Sequence, residues 1–276
     1  MNGLINNSIN VRLGLWLDDL RLNLKDGLKA VAPLKIEAAG LDAFSPELSP
    51  RTLGPSGRRD LAHFVRGRGV AISALKADVG GRGFSDPKLL DVNLSRVREA
   101  LQMSVDLGAP FLVVAGGFVP PASEEGSATQ RNSLAEAART LAGFSSSLGS
   151  RVCWQGGHEA PEVLAEFLNS ADSSGLLAVD LNPGAYVMRG MDPLKALNAL
   201  SSRVYMARAA DHYRGGAEAS FGSGDVHWGE LMIGLSTLQR NTPIDMLAGS
   251  SVDNDRVLSL SKAYKRLFAL RQNPMG

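Results

Sequence analysis

The chain of 276 residues contains one cysteine, Cys153, which excludes an internal disulfide and a cysteine-rich zinc site. Cys153 lies in the apolar run Arg151-Val152-Cys153-Trp154, where a small buried hydrophobe is a simpler reading than a reactive thiol. Neither sign of charge is in excess: 29 basic and 28 acidic side chains leave a net charge of +1. No global field therefore draws the chain to DNA, RNA or an acidic membrane. Long hydrophobic runs are missing too, since no stretch approaches the roughly 18 apolar residues of a membrane span. The N-terminus, MNGLINNSIN, lacks the basic and apolar regions of a secretory signal. Together these absences point to a soluble, cytoplasmic protein with no nucleic-acid or membrane partner. A homo-oligomer is left open.

What is present is an ordinary globular composition, 44% apolar and 21% charged, sufficient for a sizeable core. Short apolar runs alternate with amphipathic segments. The runs are VRLGLWL (11–17), KIEAAG (35–40), VAISALKAD (70–78), FLVVAGGFV (111–119), RVCWQG (151–156), LLAVD (176–180), RVYMARAAD (203–211) and PIDMLAG (243–249). Helical patterns follow them at 24–34, 58–69, 94–108, 133–149, 160–171, 192–202, 227–240 and 252–270. Eight such βα units, each of about 34 residues, match a closed (β/α)8 barrel of about 250 residues. A doubly wound open sheet is the alternative, but it usually carries a glycine-rich turn after its first strand, and here that position reads DDLRLNL. No low-complexity linker divides the chain, so one domain is expected over 1–276, with tails at 1–10 and 271–276.

Barrel enzymes build their sites from the C-terminal ends of the strands. By that rule the strands deliver in turn Asp18 and Asp19; Glu37; Lys76 and Asp78; Gly116 and Gly117, inert but permissive of a close ligand; Gln155, followed by His158 and Glu159; Asp180; Arg208, followed by Asp211 and His212; and Gly249, Ser250 and Ser251. Glu37, Lys76 and Asp180 are the candidates for acid and base work. Trp16, Trp154, Gln155, His158 and Arg208 are the candidates for holding a ligand.

The chain resembles the xylose-isomerase-like barrels, a family of sugar-phosphate isomerases and epimerases that also takes in the endonuclease IV type of enzyme. The resemblance rests on KIEAAG, on LSPRTLGPSGRRDL leading into GVAISAL, on AVDLNPG followed by DPLKAL, and on the Gly-x-Gly-x-x-x-Trp pattern of FGSGDVHWGEL. It implies a TIM barrel with a divalent ion, Mn2+, Mg2+, Zn2+ or Co2+, held by Glu on strand five, Asp on strand six, His on strand seven and Glu on strand eight. Here the matching positions read Gln155, Asp180, Met206 and Gly249. Of these only Asp180 is a usual ligand, so no resident metal or other cofactor is expected. The endonuclease-like branch needs a histidine-rich metal cluster, and this chain has four histidines in all.

Each candidate has a plainer role. Asp180 could cap the turn at Asn182-Pro183-Gly184, and Glu37 could be half of a buried ion pair with Lys76 or Arg208. His158 and His212 could be solvated loop residues, and Gly222-Ser223-Gly224 could be a flexible turn rather than an anion site at a helix start. Three functions follow: a barrel that has lost its metal and binds a small carbohydrate-like ligand, or acts as a partner subunit; a metal-dependent sugar isomerase or epimerase with rearranged ligands; and a metal-free enzyme using Glu37, Lys76, Asp180 and Arg208.

Overall fold

The computed structural model describes residues 9–275 except 81, 239 and 250–253. Ser250 and Ser251, offered above by strand eight, lie outside the described residues. The barrel strands are β1 (Val11–Trp16), β2 (Ala38–Asp42), β3 (Ala71–Ala77), β4 (Phe111–Val114), β5 (Arg151–Gln155), β6 (Ala178–Leu181), β7 (Val204–Ala209) and, after a small hairpin, β10 (Ile244–Ala248). They close in the order β1-β10-β7-β6-β5-β4-β3-β2, every neighbouring pair parallel. The hairpin is β8 (Asp211–His212) against β9 (Glu218–Ala219). The helices are α1 (Leu24–Val31), α2 (Pro55–Arg66), α3 (Leu90–Leu107), α4 (Ala128–Leu148), α5 (Pro161–Ala171), α6 (Pro183–Met188), α7 (Pro193–Ala199), α8 (Trp228–Thr237) and α9 (Arg256–Gln272).

The parallel sheet is buried on both faces, which is why its strands read as apolar runs. Outward side chains such as Leu13, Leu75, Leu112, Val152 and Val179 pack under the helices in one continuous core. Inward ones, among them Trp16, Phe111, Cys153, Met206 and Leu247, form a second cluster inside the barrel. Burial raises the Cys153 thiol well above its ordinary pKa, so it is the inert core residue its neighbours suggested. Two glycines make room: a side chain at Gly40 would overlap the Trp16 indole, and one at Gly116 would overlap the Trp154 indole.

All eight expected strands form, with shifted limits. β2 starts three residues later than the apolar run implied and ends at Asp42, so it presents a carboxylate at its C-terminal end and leaves Glu37 before its first residue. Asn182-Pro183-Gly184 opens α6 instead of breaking the chain, with proline in the first turn and the Asn182 side chain accepting from Ala185 N at 3.2 Å. The cap is thus Asn182, and Asp180 is released from that role. The last helix runs to Gln272, through the start of the expected tail.

Candidate functional site in the barrel mouth

At the C-terminal end of the strands, Asp42, Lys76, Gln155, Asp180 and Arg208 line a cavity of about 290 Å³. They come from five strands, and the period-two alternation of each strand turns them inward. Asp78, Ala115 and Gln155 also border a neighbouring cleft of about 560 Å³, which extends outward past Arg82, Phe118 and His158. Of the eight candidates, Lys76, Gln155, Asp180, Arg208 and His158 are therefore brought together along one continuous depression.

The charges in the mouth are arranged around Trp16. Its indole is 1% exposed, belongs to the inner barrel cluster and lines neither cavity, with the Arg208 guanidinium carbon 5.3 Å and the Lys76 Nζ 5.8 Å from the ring centre. Lys76 Nζ lies 3.8 Å from Asp19 Oδ1 and 3.9 Å from Asp42 Oδ2, long ion pairs rather than hydrogen bonds. Asp42 is itself held by its backbone, which donates to Asp18 Oδ2 at 2.5 Å. Burial pushes Asp18 up to about 6 against the pull of Lys76. Asp180 is also held at about 6, raised by burial and lowered by the charge of Arg208. Among the described residues its side chain has no hydrogen-bond partner, and Arg208 Nε is buried without one. Burial and Arg189 lower the His158 pKa, favouring a neutral imidazole in the cleft.

Two sequence candidates fall elsewhere. Glu37 receives Arg271 Nη1 and Nη2 at 2.8 and 2.7 Å and Leu13 N at 3.0 Å, near the N-terminal end of β1. This is a structural ion pair, with Arg271 rather than Lys76 or Arg208 as its partner, and it lies at the end of the barrel opposite the mouth. Trp154 is fully buried between Phe84 and Phe167, with ring centres 6.1 and 5.7 Å away. It points outward from β5 into the helix layer and offers no face to a ligand. Gly116, which the sequence left free for a ligand, accommodates that same indole.

Position matching on β7 also changes. Met206 is 0% exposed within the barrel cluster, and Arg208, two residues on, is the β7 side chain that reaches the mouth. The glycines of Gly222-Ser223-Gly224 already serve an anion of the chain's own. Asp211 accepts from Gly222 N, Gly224 N, Val226 N and Trp228 Nε1 at 2.7, 3.2, 3.3 and 3.1 Å. The Gly-x-Gly-x-x-x-Trp pattern is thus the cradle of one buried carboxylate. His212 sits beside Gly184 with Nδ1 buried and unpartnered among the described residues.

Asp42 is a mouth residue hidden by an expected strand end at Gly40, since β2 runs on to Asp42. Continuing the alternation Ala38, Gly40, Asp42 would have found it. Glu159 carries no sequence signal of its burial: it is 3% exposed, accepts from Val119 N at 3.3 Å and is pushed up to about 8 by desolvation. Among the described residues, no three histidine, cysteine, aspartate or glutamate side chains are grouped so as to hold a metal ion.

No protein-family model matches the chain, and no curated protein does. Solved structures do. A xylose isomerase domain protein from Planctomyces limnophilus superposes with a TM-score of 0.77 at 18% identity, over 89% of this chain and 92% of that one. A D-tagatose 3-epimerase-like protein gives 0.77 at 13% identity, over 96% and 100%. A sugar phosphate isomerase/epimerase from Parabacteroides distasonis gives 0.72 at 13%, over 97% and 96%. The fold is that of the xylose isomerase-like TIM barrels, as the sequence motifs implied. At such identities it is the fold that is shared, and the site has to be read from its own side chains.

Proposed function

We propose that this protein is a cytoplasmic, sugar isomerase/epimerase-like barrel that binds a small carbohydrate-like molecule in its mouth without a divalent metal. The observation that carries the reading is the set Lys76, Gln155, Asp180 and Arg208, delivered by four strands to one cavity. Carboxylates accept from hydroxyls while amide, ammonium and guanidinium groups donate to hydroxyl, carbonyl or carboxylate oxygens. That alternation of donors and acceptors suits a polyhydroxylated ligand, and the two joined cavities have the volume for one. A catalytic divalent ion is poorly served by the same set, because its one carboxylate at the ends of β5 to β7 faces a guanidinium.

A screen of sugars, sugar phosphates and sugar acids by thermal shift tests this. A ligand at 100 times its Kd adds about 2.7 kcal/mol to stability, and Arg208→Ala and Asp180→Ala should each abolish the response. A wild type that answers to no compound, or variants that respond as it does, would remove the mouth as a binding site.

One observation favours turnover as well. A carboxylate held at about 6 is mostly ionised at neutral pH yet readily protonated, as a group that shuttles a substrate proton must be. Asp180 would then take a proton from carbon, with Lys76 or Arg208 beside the oxygen that gains charge. Incubating a bound sugar in D2O and following loss of a C–H signal by NMR reads this step, and no exchange above that of Asp180→Asn rejects it.

A further inference from the structure

We infer that the Arg208 guanidinium is a built-in cation, standing in the mouth in place of the divalent ion that the resemblance implies. The inference rests on the mouth being the ligand site, but its test needs no ligand.

The first support is how differently this arginine is treated. Arg12 donates to Asp245 through two nitrogens at 2.6 Å each, and Arg271 is clamped on Glu37 in the same way. Arg203 bonds Asp172 at 2.9 Å as well as three backbone carbonyls. Each of those guanidiniums is committed to an acid of the chain by hydrogen bonds. Arg208 has no hydrogen-bonded acid among the described residues and a buried Nε without a partner, so its donors are not committed to an acid of the chain. Its guanidinium carbon lies 5.3 Å from the centre of the Trp16 ring, a cation–π contact that does not occupy its N–H groups.

The second support is the accounting of charge. The carboxylate that the resemblance would make a ligand already faces a cation of the protein, Arg208, while Asp18, Asp19 and Asp42 share Lys76 and Asp78 accepts from Gly80 N. At β10 the side chain that could have been a ligand is absent. A Cβ at Gly249 would collide with the Asp19 carboxylate, so that space belongs to the partner of Lys76. A divalent ion placed beside Asp180 would lie next to the fixed positive charge of Arg208 and be repelled by it. A guanidinium keeps its charge at every relevant pH and offers paired donors to adjacent oxygens. It can therefore polarise a carbonyl or orient a diol, as a metal would, with no dependence on metal supply.

Two measurements decide the matter. Wild-type protein purified without chelator should carry no stoichiometric Mn, Co or Zn by elemental analysis, and neither EDTA nor added Mn2+, Co2+ or Zn2+ should change its melting temperature. In Arg208→Ala, millimolar guanidinium should raise the melting temperature by refilling the vacated space beside Asp180, while urea, its planar uncharged counterpart, should not. Wild-type protein should respond to neither. A saturable stabilisation of wild type by a divalent ion, lost in Asp180→Asn, would overturn the inference, as would equal responses of Arg208→Ala to guanidinium and urea. If Arg208→Ala does not fold, the metal measurements on wild type decide alone. Failure of the ligand screen with success here would reject the binding reading and leave the internal cation standing.

Discussion

Asp180 and Asp211 are both 1% exposed, and their surroundings give them opposite uses. Asp211 takes three backbone donors from the loop that leads into α8, a fourth from the indole of Trp228 at the start of that helix and a fifth from His212 N. Removing it would leave those groups without an acceptor, so Asp211→Ala should destabilise the fold by roughly 3 kcal/mol or more, read as a lower urea midpoint. Asp180 takes none, and its pKa is raised from 3.8 to about 6. A carboxyl with a raised folded-state pKa binds its proton more tightly in the folded chain, so the stability it contributes is complete below about pH 4 and is lost as pH rises through 6. Asparagine cannot ionise. The stability of Asp180→Asn relative to wild type should therefore rise between pH 4 and 7, by about 3 kcal/mol at one decade per pH unit, and then level off. Melting curves of the two proteins across that range check the slope. Asp18, also near 6, is present in both proteins and drops out of the comparison.

At the scale of elements, the eight strands were legible because a strand buried on both faces must be an apolar run, and eight such runs alternate with helical patterns. Their ends were less legible, and the errors about the site follow from that. Moving β2 by a few residues exchanges Glu37 for Asp42 at the mouth, whereas on β7 Arg208 was expected at the strand end and only the match by resemblance fell on Met206, one inward step earlier. Trp154 was beyond sequence reasoning in another way: only the register Gln155 to Asp180 fixes which of two adjacent residues turns inward. The β4 end illustrates the same point. Gly116 and Gly117 read as a permissive gap for a ligand, but Gly116 is needed by the Trp154 indole. Gly116→Ala should accordingly cost about 1–3 kcal/mol through overpacking, seen as a lower melting temperature. Any ligand that stabilises wild type should still stabilise the variant by a similar increment. Loss of binding with stability unchanged would place the glycine in the site after all.

Across the whole molecule the barrel has two ends with different electrostatics. Near the N-terminal ends of β1 and β2, charges are matched at hydrogen-bond distance, as in Arg12 with Asp245 and Arg271 with Glu37. Such pairs join β1 to β10 and β2 to the last helix, closing the barrel where its first and last strands meet. At the C-terminal ends the cations are held loosely, 3.8 and 3.9 Å from their acids or against an indole, which leaves donors and acceptors for something else. The two ends should then separate under mutation. Arg271→Ala strips Glu37 and Val11 O of a donor and should lower stability by about 1–3 kcal/mol, with ligand affinity unchanged once the protein is folded. Lys76→Met removes a quarter-exposed cation with no hydrogen-bonded acid. It should change stability by less than about 1 kcal/mol, yet weaken ligand binding at least tenfold, the equivalent of ~1.4 kcal/mol. Urea denaturation and calorimetric titration on the same two variants read both quantities. The division of labour fails if Lys76→Met destabilises as Arg271→Ala does, because the mouth would then be another set of structural ion pairs, or if Arg271→Ala weakens binding as much as Lys76→Met.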